Sequence, residues 1–502
     1  MSTITDYLTG IADAIRIKKG TSATIPAQNF ATEIKNLNTG GITPNGIINS
    51  YYAYAGENIS AGDFVEFING KSGQSQNVSI TPLTISSTSQ TTNNTVQGIL
   101  LDNNRVAIIY CSGSGGDYDS RYFLKGVICT ITDTGIVAST PQVLETTVMS
   151  GYWIQLTQIS ENSFLITHNH PYNSAKLTYA FIRTCLVTED NRFILGEDIE
   201  FDTTSSITYT SATKVSANKY VIGVASNGYT YLATCTLDGL SMNLSTITRV
   251  YTSPETSIMQ LCTLDSNKFL LLLGAYGTNN TSIKEWIAVV GIVENDVISL
   301  GTKLSFHTNS STIGAIKQGL SLLFALSSTK VFVVVTSSSK QVYGYILNIQ
   351  SDNTIVANSK TLLFTSLASG ITTGMQLGDK FVVLGDSTVA NKATFHIITI
   401  NNDVITVDNT ISTDLTYDTY GYRLIPLSNQ SFAYIYPVSN SSFNVGALNI
   451  DFTNNNIVSD ILLENYEKQV KKATDSINGI AKTSGTGGTE TQHNQQVSVY
   501  SL

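Results

Sequence analysis

One short pattern returns seven times along this chain and limits what it can fold into more than any other feature. Each copy has an apolar residue, a turn of Ser, Asp, Asn or Gly, then Lys, Arg or Ser, then a β-branched or aromatic run. The copies run from Leu101 to Val106, Ile159 to Phe164, Val215 to Tyr220, Leu264 to Phe269, Leu326 to Val331, Leu377 to Phe381 (one residue shorter) and Leu427 to Phe432. They recur every 49 to 62 residues, close to the period of propeller blades.

Each copy fits a hairpin: a strand ends at the apolar residue, the turn residues reverse the chain, and the following run resumes as a strand. A Gly/Ser/Asn loop then leads to an aromatic-led run, as at Tyr179 to Ile182, Trp286 to Val289 and Tyr343 to Leu347. A last strand closes the unit, as at Thr302 to Phe306 and Lys360 to Phe364, which makes four strands per repeat. Runs such as Phe269 to Leu273 and Val331 to Val335 are apolar at every position, so both faces of the sheet must be covered. Blade-on-blade packing does this, and immunoglobulin-like domains need about 100 residues each, so the period is too short for them. The expected fold is therefore all-β: a seven-bladed β-propeller of four-stranded blades over residues 79–465. The run Val78 to Ile85 resembles the closing strand of the later repeats and is expected to pair with the last blade around Ile457 to Leu463, joining the ring and removing an exposed edge.

Composition narrows the function. Charged residues make up 13% of the chain against a usual level of about 25%. The net charge is −9, and no Lys/Arg cluster lies on an aromatic-rich stretch, so nucleic acid is not an expected partner. Cys111, Cys129, Cys185, Cys235 and Cys262 are dispersed among apolar residues and read as buried free thiols. Asp6, Gly10 and Asp13 interrupt any leader-like apolar run, and no apolar run approaches the length of a membrane span. A soluble protein made in the cytoplasm, with no membrane partner, is expected.

The chain ends differ from the repeats. Ile4, Leu8, Ile11 and Ile15 form one helical stripe and Phe30, Ile34 and Leu37 another, so residues 1–40 read as a helical segment closed by the linker Gly40-Gly41. The stretch Ile11 to Ile34, with Lys18-Lys19-Gly20 and Ile25-Pro26 between its helices, closely resembles an N-terminal module of phage and prophage tail-associated proteins, chiefly of Gram-positive hosts. The resemblance covers under a tenth of the chain. In those relatives the module precedes varied β-rich domains, which implies a virion component and makes Ile4, Leu8, Ile11, Ile15, Phe30, Ile34 and Leu37 candidate assembly residues. The far end, Ile477 to Gly488 followed by Val497 to Tyr500, resembles the closing segment of many phage-encoded β-repeat proteins. Ala61 to Phe67, a Gly-Asp turn leading into an alternating strand, looks like its partner. Residues 41–78 and 466–502 are thus expected to form one small β module, with a short helix from Tyr466 to Ala473.

Catalytic signatures are weak. There is no repeated Ser-x-Asp-x-Gly-x-Thr-Trp box, and the seven arginines are widely spaced, so a sialidase is not expected. A pair of facing carboxylates from different blades would suffice for another glycosidase; Asp117 and Asp119, beside Tyr118 and Arg121, come nearest and read better as a solvated loop. His168 and His170 have no carboxylate beside them in sequence and make a weak metal signal. The glycine clusters at Gly113 to Gly116 and Gly485 to Gly488 lack the Lys-Ser/Thr of a phosphate loop, and Asp352 and Asp403 belong to no spaced calcium-binding series. No catalytic residue, metal or cofactor is expected. The function expected is a non-enzymatic virion protein of the phage tail, a tail fibre or baseplate component assembled in the bacterial cytoplasm. Its N-terminal segment would hold other virion proteins, and its propeller would bind a host cell-wall glycan or surface protein. Rim tyrosines such as Tyr229, Tyr276 and Tyr420 are suited to stacking on sugars. A homo-oligomer is implied by family analogy. The rival readings are a purely structural baseplate or head decoration and a polysaccharide depolymerase.

Overall fold

The computed structural model describes Thr9, Ala12 and, from Ser50 to Ser501, every residue except 56, 62, 80, 87–95, 102–103, 115–120, 133, 146–153, 172–177, 202–206, 227–228, 253–255, 277–282, 309–320, 338–339, 366–370, 387–391, 417–421, 440–441, 455, 459, 473–478, 482–483 and 487–495. The chain divides into two compact units: residues 75–464, and residues 1–74 together with 465–502.

The larger unit is a seven-bladed β-propeller. Blades 1 to 7 begin with the strands Val96–Leu100, Ile154–Ser160, Ile207–Lys214, Thr256–Asp265, Ser321–Ser327, Ile371–Leu377 and Arg423–Pro426. Each is antiparallel to the strand that follows its anchor turn, and that strand to a third. The first strands touch one another in sequence order, and blade 7 touches blade 1, so they form the inner wall of a closed ring. The expected fourth strand is present with one refinement. In most blades it is broken in two, as in blade 4, where Val297–Leu300 and Leu304–Thr308 both pair with Ile283–Glu294. Blade 6 keeps it whole as Val404–Thr416.

The second strands carry the fully apolar runs. All of Phe269 to Leu273 and Val331 to Val335 are completely buried, because each blade face lies against a neighbour. The cores consequently lie between blades. One cluster joins Phe164, Ile166 and Cys185 of blade 2 to Ile109 and Cys111 of blade 1; another joins Phe381 and Val383 of blade 6 to Phe332 and Val334 of blade 5. Aromatic residues on second strands lie over glycines directly opposite on third strands: Phe269 over Gly291 in blade 4 and Tyr434 over Gly446 in blade 7. A Cβ at Gly291 would fall 2.1 Å from the Phe269 ring and one at Gly446 2.3 Å from that of Tyr434, so only glycine leaves room.

The Lys/Arg of the anchor pattern has a structural role. In blades 1, 3 and 5 it reaches the tight turn of the next blade, whose Asn or Asp residues adopt positive φ. Arg105 donates to the Thr188 carbonyl (2.9 Å), Asn191 Oδ1 (3.0 Å) and Asn162 Oδ1 (2.6 Å) of blade 2. Lys219 pairs with Asp296 of blade 4 at 2.7 Å and Lys330 with Asp403 of blade 6 at 2.6 Å.

Ring closure uses the strand before the first anchor, with a different partner from the one expected. Leu83–Ser86 pairs with Ser442–Asp451, Leu83 opposite Val445 and Ser86 opposite Ser442. It supplies the second half of blade 7's outer strand, the first half being Asn456–Val458 on the same partner. Of the expected partner, Ile457 to Leu463, Ile457 lies in Asn456–Val458 on the same partner strand, and Asp460 to Leu463 begin Asp460–Lys472, a strand of the five-stranded barrel. Ile85 then packs with Phe443 and Val445 of blade 7 and Ile108 and Tyr110 of blade 1.

The smaller unit is a closed five-stranded barrel of Ser50–Ala55, Asp460–Lys472, Phe64–Ser79, Gly479–Ala481 and Gln496–Ser501, in that order. Both chain ends therefore build it. Ile480 lies opposite Phe64 and Tyr500, and Val497 to Tyr500 pair with Tyr51 to Ala53 and Ser50. Ile59 and Gly485 exchange backbone hydrogen bonds of 2.8 and 2.9 Å. The short helix expected from Tyr466 to Ala473 is not formed: Tyr466 to Lys472 lie in the strand Asp460–Lys472, with Gln469 beside Tyr54 and Val470 beside Ala55, and Ala473 lies outside the described residues. Filling a gap between two barrel strands satisfies backbone groups that would otherwise be open edges, and this outweighs the modest helix preference of Glu, Lys and Gln. Ile4, Leu8, Ile11, Ile15, Phe30, Ile34 and Leu37 lie outside the described residues. Thr9 and Ala12 between them are helical, Ala12 buried and Thr9 exposed.

Candidate functional site

The seven inner strands enclose a cavity of about 350 Å³ on the ring axis. Its wall follows the repeat. The residue four places before each anchor apolar residue lines it in every blade: Gln97, Gln155, Ser211, Gln260, Leu322, Thr373 and Arg423. Side chains alternate along a strand, so a fixed offset from the turn presents the same face of every blade to the axis. Tyr209, Leu323 and Phe324 add apolar surface. Among the described lining residues Arg423 is the only charged side chain. Burial lowers its pKa to about 10, while the Tyr209 phenol of blade 3 acts in the opposite sense across the ring. Its Nη1 donates to the Tyr422 carbonyl at 2.9 Å, which holds the guanidinium in place.

The wall has two unlike arcs. From blade 2 to blade 5, polar side chains bridge neighbours: Thr157 donates to the Ala212 carbonyl (3.2 Å), the Leu261 amide to Ser211 Oγ (3.2 Å), and Gln260 Nε2 to the Ser321 carbonyl (3.1 Å). On blades 6, 7, 1 and 2 the matching positions are Thr373, Arg423, Gln97 and Gln155. The side chains of Thr373, Gln97 and Gln155 make no hydrogen bond to any described residue, and all three are half-buried.

A second polar cluster lies between blades 1 and 2. Glu145 Oε2 is 3.5 Å from His168 Nε2, and Asp198 completes a group whose ligand-type atoms lie within 4.8 Å of one another. His168 is fully buried and stacks on Phe181. A divalent ion would fit the donor types, but the Arg183 guanidinium already pairs with Asp198 and donates to the Leu144 carbonyl at 3.1 Å. An entering cation would meet that positive charge. The cluster is better suited to clamping blade 1 onto blade 2. Burial pushes the Asp198 carboxyl up to about 6, opposed by Arg183 and assisted by Glu145.

His168 has carboxylates beside it after all, brought from the outer strand of blade 1 and from a turn in blade 2, which no local pattern could show; His170 is its strand neighbour but one. Asp403 is held by Lys330, and Asp352 accepts from the Thr354 amide and hydroxyl as a turn cap. Neither stands in a calcium-type array. Tyr229 lies under the Arg249 guanidinium, 5.0 Å from its ring centre. Asp117, Tyr118, Asp119 and Tyr420 lie outside the described residues, as do the side chains of Arg121 and Tyr276. All five cysteines are free, and burial pushes each thiol up to about 12, so they are inert packing groups. The cavity-lining set was missed. Counting back four residues from each anchor would have found it.

No protein-family model matches the chain, and no curated protein matches it. Among solved structures the likeness is distant. A Lactobacillus plantarum protein is 8% identical over 66% of this chain and 87% of its own, with a TM-score of 0.42. A candidate 6-phosphogluconolactonase from Bacteroides uniformis is 10% identical over 72% of this chain and 98% of its own, with a TM-score of 0.45. Prolyl oligopeptidase B from Galerina marginata is 10% identical over 78% of this chain and 53% of its own, with a TM-score of 0.42. Likeness at this level passes no activity to the chain.

Proposed function

We propose that this chain is a non-enzymatic bacteriophage virion protein, a tail fibre or baseplate component whose propeller binds the host cell surface. One observation carries the reading. The two segments that resemble phage-encoded proteins at the end of the chain, Gly479–Ala481 and Gln496–Ser501, are built into one closed barrel with Ser50–Ala55 and Phe64–Ser79. Both ends of the propeller run into this one barrel, and the resemblance of its segments to phage-encoded proteins supports the reading. The helical segment before it attaches the chain to other virion proteins, through Ile4, Leu8, Ile11, Ile15, Phe30, Ile34 and Leu37, and loops at a rim of the ring meet a wall glycan or surface protein of the host.

The described cavity wall carries no carboxylate, so it offers no acid–base pair for glycoside hydrolysis. The test uses the full-length chain. An antibody to it should label phage tails, and the purified chain should bind cell walls of a Gram-positive host saturably, with released wall polysaccharide competing. Labelled particles without wall binding would make the chain a structural virion component. Release of reducing sugar would make it a depolymerase, and absence from particles would end the proposal.

A further inference from the structure

The central cavity has features that attachment through the rim does not use. Its volume of about 350 Å³ lies at the small end of ligand sites, which run from about 300 to 1,000 Å³, and suits a molecule with one sugar-sized ring. Its polar groups divide into those the chain itself engages and those it does not. Thr157, Ser211, Gln260 and Ser321 bridge neighbours across blades 2 to 5. Arg423 is engaged as well, through the Tyr422 carbonyl and a further interaction within the chain. Blades 6, 1 and 2 are left with one hydroxyl (Thr373) and two amides (Gln97, Gln155), half-buried on the cavity wall, whose side chains bond to no described residue.

We propose that this cavity binds a neutral, polyhydroxylated molecule of single-ring size, a hexose or cyclic polyol, recognised by Gln97, Gln155 and Thr373. A side-chain amide presents an N–H donor and a carbonyl acceptor side by side, and adjacent ring hydroxyls present the complementary pair, since each hydroxyl both donates and accepts. Thr373 adds one more group of the same dual kind. All three stand at the same offset from their anchor turns, on inner strands fixed by neighbouring blades, so they are oriented before a ligand arrives. An amide partly withdrawn from water gains more from a fitted partner than an exposed one does. Leu322 and Phe324 of blade 5 supply apolar surface for the C–H side of the ring. The groups left to the ligand carry no charge, so recognition is by hydroxyl pattern and not by ionic attraction. The site needs the inner strands in register and uses no rim loop, so it stands or falls separately from the attachment role.

The experiment is a saturation-transfer NMR titration of the full-length chain at neutral pH with D-glucose, D-galactose, N-acetyl-D-glucosamine, myo-inositol and D-glucuronate. Tetrahydropyran-2-methanol, the sugar ring stripped of its ring hydroxyls, is the control. At least one of the four neutral compounds should bind saturably, with a dissociation constant on the order of 1 mM, as neutral hydrogen bonds give a ligand of this size. Added salt should leave that binding unchanged, and the control should give no saturable signal. Gln97→Met and Gln155→Met keep the side-chain length, and Thr373→Val keeps its shape; each should weaken binding by about 2- to 10-fold, the range set by a neutral hydrogen bond. Circular dichroism and the thermal midpoint confirm that each variant is folded. Failure of all four neutral compounds to bind would overturn the proposal. So would binding that survives all three substitutions unchanged, which would place the ligand elsewhere, or tighter binding of D-glucuronate than of every neutral compound.

Discussion

Blades 4 and 7 have the same strand plan and are completed in different ways. Every strand of blade 4 lies between Thr256 and Thr308, and its interior, built from Phe269 to Leu273 with the fully buried Trp286, belongs to the largest apolar cluster of the ring. Blade 7 draws half of its outer strand from Leu83–Ser86, opposite residues about 360 positions later in the chain. A blade of local contacts can form as soon as its own residues are available. One completed from the other end of the chain has to wait for the ring, because closing so long a loop costs entropy before any contact repays it. The seam in blade 7 is therefore where the propeller should first come apart.

The largest effect is expected from Ile85→Asp. This places an unpaired carboxylate among Phe443, Val445 and Tyr110 and should cost on the order of 5 kcal/mol in denaturant unfolding. Hydrogen exchange in that variant should show Ser431–Ser439 and Ser442–Asp451 opening well before Lys268–Tyr276. Simultaneous opening would mean that the seam is no weaker than a local blade. Trp286→Ala should cost about 3–5 kcal/mol and lower protection in blades 3 to 5 first. Trp286→Phe should be far milder, since the indole N–H makes no hydrogen bond among the described residues.

The polar clamps between blades give smaller effects. Arg105→Met removes three hydrogen bonds from a side chain only 6% exposed and should cost about 1.5–3 kcal/mol. At Asp198 the sign is set by a carboxyl pKa raised from its ordinary 3.8 to about 6. The folded state then holds the proton more tightly than the unfolded state, so this group adds stability as pH falls from 6 towards 4 and withdraws it as pH rises through 6. Wild type should accordingly gain on Asp198→Asn by about 1 kcal/mol between pH 7 and pH 5, measured by denaturant midpoints at each pH. Lys330→Met, at a pair in which both side chains are about one-third exposed or more, should change stability by less than about 1 kcal/mol.

Much of the ring was legible because its signals are local. A turn of Ser-Asx type after an apolar residue, followed by a run that is apolar at every step, specifies a hairpin whose second strand is covered on both faces, and seven such signals specify seven blades. The misreadings have one cause. Tyr466 to Ala473 carries residues that favour helix weakly, and pairing with Tyr54 and Ala55, more than 400 residues earlier, decided the matter. His168 was judged by its neighbours in sequence, yet Glu145 and Asp198 reach it from other strands.

The sequence by itself determined the repeat, the class and number of the sheets, the apolar second strands and the positions of the turns, since turn chemistry and side-chain alternation act over a few residues. Only the tertiary structure decided which edge Leu83–Ser86 would complete, that Asp460–Lys472 would be a barrel strand, and that one residue from each of seven blades would meet around a single arginine. Those outcomes depend on strands brought together by ring and barrel closure, where the satisfaction of open backbone edges and the burial of facing blades outweigh anything a local segment prefers.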